Sequence, residues 1–177
     1  MYLGYIKKLL KQFVPKKILD LGAGRGESSE LCAKMGANVT AIDNCSRENW
    51  QRNKKLNEYK NITFINCKIE EFVPKITQNF NMIILLNIIA FLDKQDFLNI
   101  YFPKIIQHTN IGGIIIINFF FDDDPTMQKI NHYKFEDFDF LENDFEIIKK
   151  SDIWKDDKHK PYGVHKHHIG YLILKKK

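Results

Sequence analysis

The chain has 177 residues, 44% of them hydrophobic and 13% aromatic, and a formal charge of +5. That is enough apolar material for one folded core and too much for a disordered chain, and no apolar run is long enough to span a bilayer. The lysines are scattered rather than striped, which weighs against a nucleic-acid surface, and the three spread cysteines (Cys32, Cys45, Cys67) suit a reducing compartment, with cytoplasm expected, and give no zinc spacing.

"MYLGYIKKLLKQF" threads lysines through its apolar pattern and reads as an amphipathic helix over 1–14 rather than a signal peptide. "KILDL" (17–21) is a short apolar strand entering a glycine turn. Residues 26–35 read as a helix on the four-residue spacing of Leu31 and Met35, with Gly36 ending it. "ANVTAID" (37–43) is a second strand by its β-branched content. "SRENWQRNKKLNEYK" (46–60) is a polar helix with Ser46 as N-cap and Trp50 turned to the core. "NITFIN" (61–66) and "FNMIILLN" (80–87) supply a third and a fourth strand.

Residues 93–109 predict a helix with Phe97, Ile100, Tyr101, Ile105 and Ile106 on one side, kinked or split at Pro103. "GGIIIINFFF" (112–121) follows a Gly-Gly turn and is apolar throughout, as a strand buried on both faces of a parallel sheet should be. Residues 145–154 and 170–176 read as two closing strands, an antiparallel pair separated by a polar loop. The alternation of strand and helix through residue 121 predicts an α/β fold: an open, Rossmann-like, mostly parallel sheet with helices on both faces.

The chemistry concentrates in "ILDLGAGRGESSELCAKMGANVTAID" (18–43), where Gly22, Gly24 and Gly26 stand at every second position. In an open parallel sheet, ligands bind beyond the carboxyl ends of the strands, where this turn lies. Glycines there permit unusual φ values and let a ligand approach the backbone, and the helix that follows offers free N–H groups. Asp43, ending the second strand, can accept two hydrogen bonds from ribose hydroxyls. A dinucleotide fingerprint wants G-x-G-x-x-G with a pyrophosphate on the helix start, but here the third glycine comes one residue early. Asp20, at the strand end, would repel that pyrophosphate. A phosphate-free cationic cofactor reverses the sign of the interaction, and S-adenosylmethionine carries both a sulfonium and an ammonium group.

These residues closely resemble the first two motifs of class I S-adenosylmethionine-dependent methyltransferases. "FNMIILLNIIAFLDK" is similar to their fourth-strand segment and "IGGIIIINFF" to their Gly-Gly turn and fifth strand, and the ending, "GVHKHHIGYLILKKK", resembles that of the small tellurite-resistance-type members. The resemblance implies a single methyltransferase domain over 1–177, sheet order 3-2-1-4-5-7-6 with strand 7 antiparallel, and acceptor-site loops and closing strands over 122–170. It implies S-adenosyl-L-methionine held by Asp20, Leu21, Gly22, Ala23, Gly24, Asp43, Asn44 and Asn87, with adenine near Cys67, Lys68 and Ile69. Lys68 departs from the family, which often places an acid there to accept from the adenine amino group. An ammonium cannot accept, so Asn66, Cys67 or a backbone carbonyl takes over, or adenine recognition is weak; Glu70 and Glu71 are assigned to the next turn.

The expected partner is a small-molecule methyl acceptor, on a monomer or homodimer with no membrane. RNA or protein methylation and a non-catalytic binding module are the alternatives. Asn87 stands where base-amine methyltransferases carry an Asp/Asn-Pro-Pro-aromatic loop, but Ile88, Ile89 and Ala90 follow it, so it is read as hydrogen-bonding within the pocket floor. Candidates for catalysis are Asn87, His165 and His167; the two histidines alternate and so share one face of an extended segment. No metal is expected. "DDD" at 122–124 reads as a solvated loop, and Cys45 as a small packing residue.

Overall fold

The strands are β1 (Lys17–Leu21), β2 (Asn38–Asp43), β3 (Ile62–Asn66), β4 (Phe80–Leu85), β5 (Thr109–Phe120), β6 (Phe145–His159) and β7 (Gly163–Lys176). The computed structural model describes residues 2–44, 56, 58–126, 129–159 and 163–177, Tyr2 and His159 by backbone alone. Among these residues the strands form one sheet in the order β3-β2-β1-β4-β5-β7-β6. The first five run parallel, and β7 runs antiparallel to both β5 and β6. Fold class, strand order and the reversed last strand all agree with the sequence reading.

Both faces of the sheet are covered. Ile115, Ile117 and Phe119 of β5 join one core with Phe97, Phe102 and Ile105 of the helical stretch before that strand. Ile114 and Ile116, pointing the other way, join a second core with Ile6, Leu9 and Leu10 of α1 (Tyr2–Phe13) and Cys32 and Ala33 of α2 (Glu27–Lys34). A strand between two cores has no solvent face, which is why the isoleucine run is unbroken. Among the described residues no helix is long and apolar enough to cross a membrane.

Several local readings need correction. Helix α2 buries Ser28, Ser29, Cys32 and Ala33, while Met35 is exposed. The packing face is the one with small side chains, which let the helix lie close to the sheet, and the Leu31–Met35 spacing marks its rim. Residues 94–107 are helical and split as expected, but the break falls ahead of Pro103. A short α3 precedes the fourth strand at Ile69–Phe72, then α4 (Lys94–Asp96) passes through a π turn (Phe97–Tyr101) into α5 (Phe102–Gln107). The π turn rotates the register ahead of Pro103, so Phe102 is buried and Ile100 exposed.

The Gly-Gly turn lies inside β5, which starts at Thr109 and shifts register against β4 before Ile114. Gly112 sits at φ +73 in that bulge. Most of the supposed polar loop between the last strands is a continuation of the hairpin, paired as far as His159↔Gly163. Beyond the sheet edge the ribbon has solvent beside it, and burial alternates along 151–158 instead of forming an apolar run. The helix expected at 46–60, with Ser46 and Trp50, falls largely outside the described residues, as does Cys45.

Candidate functional site

β1 carries Asp20 to the carboxyl edge of the sheet between Ala41 of β2 and Ile84 of β4, where the strand order reverses. The turn that follows bends back on itself: Gly22, Gly24 and Gly26 have φ of +73, +55 and +75. A Cβ at Gly22 would lie 2.5 Å from the Ile88 side chain, and one at Gly26 2.4 Å from that of Leu56. At Gly24 it would meet nothing nearer than the Gly22 carbonyl oxygen at 3.9 Å. Gly22 and Gly26 thus let the chain pass tightly against its neighbours, while Gly24 leaves backbone open beside a cavity.

Hydrogen bonds fix this turn to β2. The Gly22 and Ala23 N–H groups both donate to the Ile42 carbonyl at 2.9 Å, and the Gly24 N–H donates to Asp43 Oδ2 at 2.7 Å. Ser29, in the first turn of α2, donates its hydroxyl to Asp20 Oδ2 at 2.6 Å. Asp20 is only 3% exposed. Burial pushes its carboxyl up to about 6; the Ser29 hydrogen bond opposes that rise, and the nearby Asp43 charge adds to it. An added cation would relieve both the burial and the repulsion.

The cavity above this turn has a volume of about 680 Å³, the scale of small-molecule and cofactor sites. Of the residues singled out from sequence, Asp20, Gly22, Ala23, Gly24, Asp43, Asn44, Lys68, Ile69 and Asn87 line it. Leu21 and Cys67 do not: Leu21 is fully buried in the core, and Cys67 packs partly against it. Glu70, assigned to the next turn, lines the cavity beside Lys68, whereas Glu71 does not. Arg25, Glu27 and Ser28 also line it, and Leu86, Ile88, Phe91 and Leu92 form an apolar side.

Asn87 stands just past β4 in a left-handed conformation, φ +57. It forms a reciprocal pair with Asn118 of β5, which is 1% exposed. The Asn87 N–H donates to Asn118 Oδ1 at 2.6 Å, and Asn118 Nδ2 donates to Asn87 Oδ1 at 2.7 Å. Asn118 was overlooked. Its signal was present, because one amide in an otherwise apolar strand must find a partner when buried.

His165 and His167 do share a face of β7, with Nε2 atoms 3.0 Å apart, but neither lines the cavity. "DDD" is not simply solvated. Asp124 is 2% exposed; its Oδ2 accepts from the His168 N–H at 2.8 Å and lies 3.1 Å from His167 Nδ1. His168 projects to the other side, between Phe121 and the stacked Trp154 ring, with Asp123 and Asp152 on its two nitrogens. Burial opposes its positive charge, but the two carboxylates outweigh burial and raise its pKa.

A seven-stranded sheet with this order, a glycine turn after the first strand and an acid after the second define the Rossmann-like class I methyltransferase fold. The protein-family model for "Tellurite resistance protein TehB" matches residues 4–158, and the chain belongs to that family. TehB from Haemophilus influenzae superposes with a TM-score of 0.84 at 22% identity, over 98% of this chain and 62% of its own. The chain therefore spans less than two thirds of that relative. The N-methyltransferase NodS from Bradyrhizobium japonicum WM9 gives 0.76 at 12% identity, over 99% of this chain and 94% of that one. The 1,6-didemethyltoxoflavin-N1-methyltransferase of Burkholderia thailandensis gives 0.70 at 17% identity, over 99% and 78%. Among curated proteins none matches the sequence.

Proposed function

We propose that this protein transfers the methyl group of S-adenosyl-L-methionine to a small soft acceptor, a thiol or a reduced selenium or tellurium oxyanion. The observation that carries the proposal is the pair of carboxylates around the glycine turn. Asp20 is buried at the cavity floor at a cost that an ammonium or sulfonium would offset. Asp43 is oriented by the Gly24 N–H and lines the cavity, where a carboxylate can accept from ribose hydroxyls. Family membership supports the reading. So do similar folds whose structures hold the cofactor or its product: NodS with S-adenosyl-L-homocysteine, and magnesium protoporphyrin IX methyltransferase from Synechocystis PCC 6803 with bound SAM.

The cofactor brings its own activation, so the reaction is an in-line displacement. Once bound, S-adenosyl-L-methionine would supply an activated methyl group and a neutral thioether leaving group, and the acceptor would supply the electron pair. This chain's residues align donor and acceptor and keep water out. Asp20 would hold the amino group directly or through water, Asp43 the ribose, and backbone from Gly22 to Gly24 would face the methionine end. Leu86, Ile88, Phe91 and Leu92 would supply an apolar wall, with Asn87 fixed by Asn118 at the floor. No histidine is among the described residues lining the cavity, which favours an acceptor that needs no proton removed.

The test is release of S-adenosylhomocysteine across thiols, chalcogen oxyanions, amines, phenols and RNA. Turnover is expected on the first two and to persist when His165 and His167 are both replaced by alanine. Activity confined to amines or phenols and lost in that double variant would overturn the acceptor class. Turnover on RNA alone would do the same. Tight cofactor binding with no turnover on any acceptor would favour a binding module.

A further inference from the structure

The pair His165–His167 presents a problem of lone pairs. His165 Nδ1 lies 3.0 Å from the Gly163 carbonyl oxygen, which can only accept, so that nitrogen carries the proton. His167 Nδ1 lies 3.1 Å from Asp124 Oδ2, and an ionised carboxylate likewise only accepts. Whenever both rings are neutral with Nδ1 protonated, the two Nε2 atoms, 3.0 Å apart, face each other as acceptors. Two acceptors at that separation repel. A cation between them removes the repulsion.

We infer that His165 and His167 are ligands of a metal site for a divalent cation of the copper or zinc class. Three features carry this. Metal–imidazole bonds of about 2.0–2.1 Å meeting at 90–109° place their nitrogens about 2.8–3.4 Å apart, which brackets the observed spacing. Histidines at i and i+2 of a strand put both rings on one face without rearranging the backbone. Each ring also has its other nitrogen held by an oxygen acceptor, a carboxylate for His167 and a backbone carbonyl for His165. This outer arrangement fixes ring orientation and tautomer at metal centres.

Imidazole nitrogen suits copper, nickel and zinc better than magnesium or calcium. Among the described residues no set of three His, Cys, Asp or Glu side chains is placed to hold a metal, so the site as described is a two-histidine one. The neighbouring cross-strand cation, Lys155 opposite His167, is paired with Asp157 at 2.6 Å, which offsets its charge. Asp124 reaches the site from the segment after β5, so an occupied site would brace that segment against the β6–β7 ribbon. The inference is independent of methyl transfer.

The experiment uses the untagged full chain, equilibrated by dialysis with copper(II) or zinc salts, the bound metal then being counted. About one equivalent per chain is expected, with copper held more tightly than zinc. His165→Ala should abolish it. His165 is the safer test because it is only partly buried, whereas removing the buried His167 threatens the fold. Asp124→Asn should weaken binding about 10–100-fold, and His132→Ala should leave it unchanged. Equal metal retention by the wild-type and His165→Ala chains would overturn the site. So would ¹⁵N NMR showing a proton shared between the two Nε2 atoms of a chain that takes up neither metal.

Discussion

Replacing Asp20 by asparagine separates what this residue costs the empty protein from what it supplies to a ligand. Its carboxyl rises from 3.8 to about 6 on folding, chiefly because burial disfavours the charge. A raised folded-state pKa means that the native state holds a proton the unfolded chain has already released. Stability attributable to Asp20 is therefore intact below pH 4, falls as pH rises through about 6, and is then flat. The shift corresponds to about 3 kcal/mol at pH 8, roughly half of it already lost at pH 5. Asparagine keeps the size and an oxygen to accept from Ser29, and it has no charge to bury. Asp20→Asn should accordingly raise the melting temperature of the ligand-free protein at pH 8 by several degrees, at about 2–4 °C per kcal/mol for this chain length. The gap between variant and wild type should shrink toward pH 5. The same variant should lose most of its affinity for S-adenosylmethionine, because the ammonium and sulfonium lose their buried counter-charge. The assay is a thermal melt at several pH values with and without cofactor. A variant that melts lower than wild type at pH 8, or a gap that does not change with pH, would refute the burial argument.

S-adenosylmethionine or S-adenosylhomocysteine at about a hundred times its dissociation constant should add roughly 2.7 kcal/mol of stability. NAD should add none, and Asp43→Ala should sharply reduce the thermal shift; an unchanged shift would remove Asp43 from the ribose role. Gly24→Ala, at φ +55 with open space around the new carbon, should cost about 1–2 kcal/mol yet weaken cofactor binding, measurable by calorimetry. Gly22→Ala, whose added carbon would collide with Ile88, should destabilise the fold more than Gly24→Ala does in a denaturant titration. Lys68→Asp should leave cofactor affinity equal or improved, and a loss beyond tenfold, about 1.4 kcal/mol, would show that the lysine makes a favourable contact.

The sheet was legible because its central strands β1, β4 and β5 are buried on both faces, so "KILDL" and "GGIIIINFFF" carry burial in composition alone. Elements with one wet face were harder. Strand β6 beyond Ser151 alternates instead of running apolar, and α2 packs through serine, cysteine and alanine, side chains that hydropathy barely marks. The π turn at Phe97–Tyr101 could be anticipated only as a disturbance near Pro103, since its register depends on which phenylalanines fit the core. The helical stretch at 94–107 therefore kept its place and, apart from Ile100, its predicted face.

The cavity divides along the same physical line. The end lined by the glycine turn is built from residues close in sequence, because a strand, a turn and a helix start place Asp20, Gly24 and Asp43 together by local geometry. What holds those residues comes from farther away or from unmarked positions. Ser29 is nine residues from Asp20, and Asn118 is 31 from Asn87. The histidine face shows the limit most clearly. Period-two alternation puts His165 and His167 side by side, yet it says nothing of the aspartate 43 residues earlier that orients one of them. A run of three aspartates is ordinarily solvated because like charges repel, and here the repulsion is relieved when Asp123 and Asp124 are drawn apart onto different histidines. Such pairing needs the antiparallel return of β7 alongside β5, so it becomes readable only after the sheet order is known.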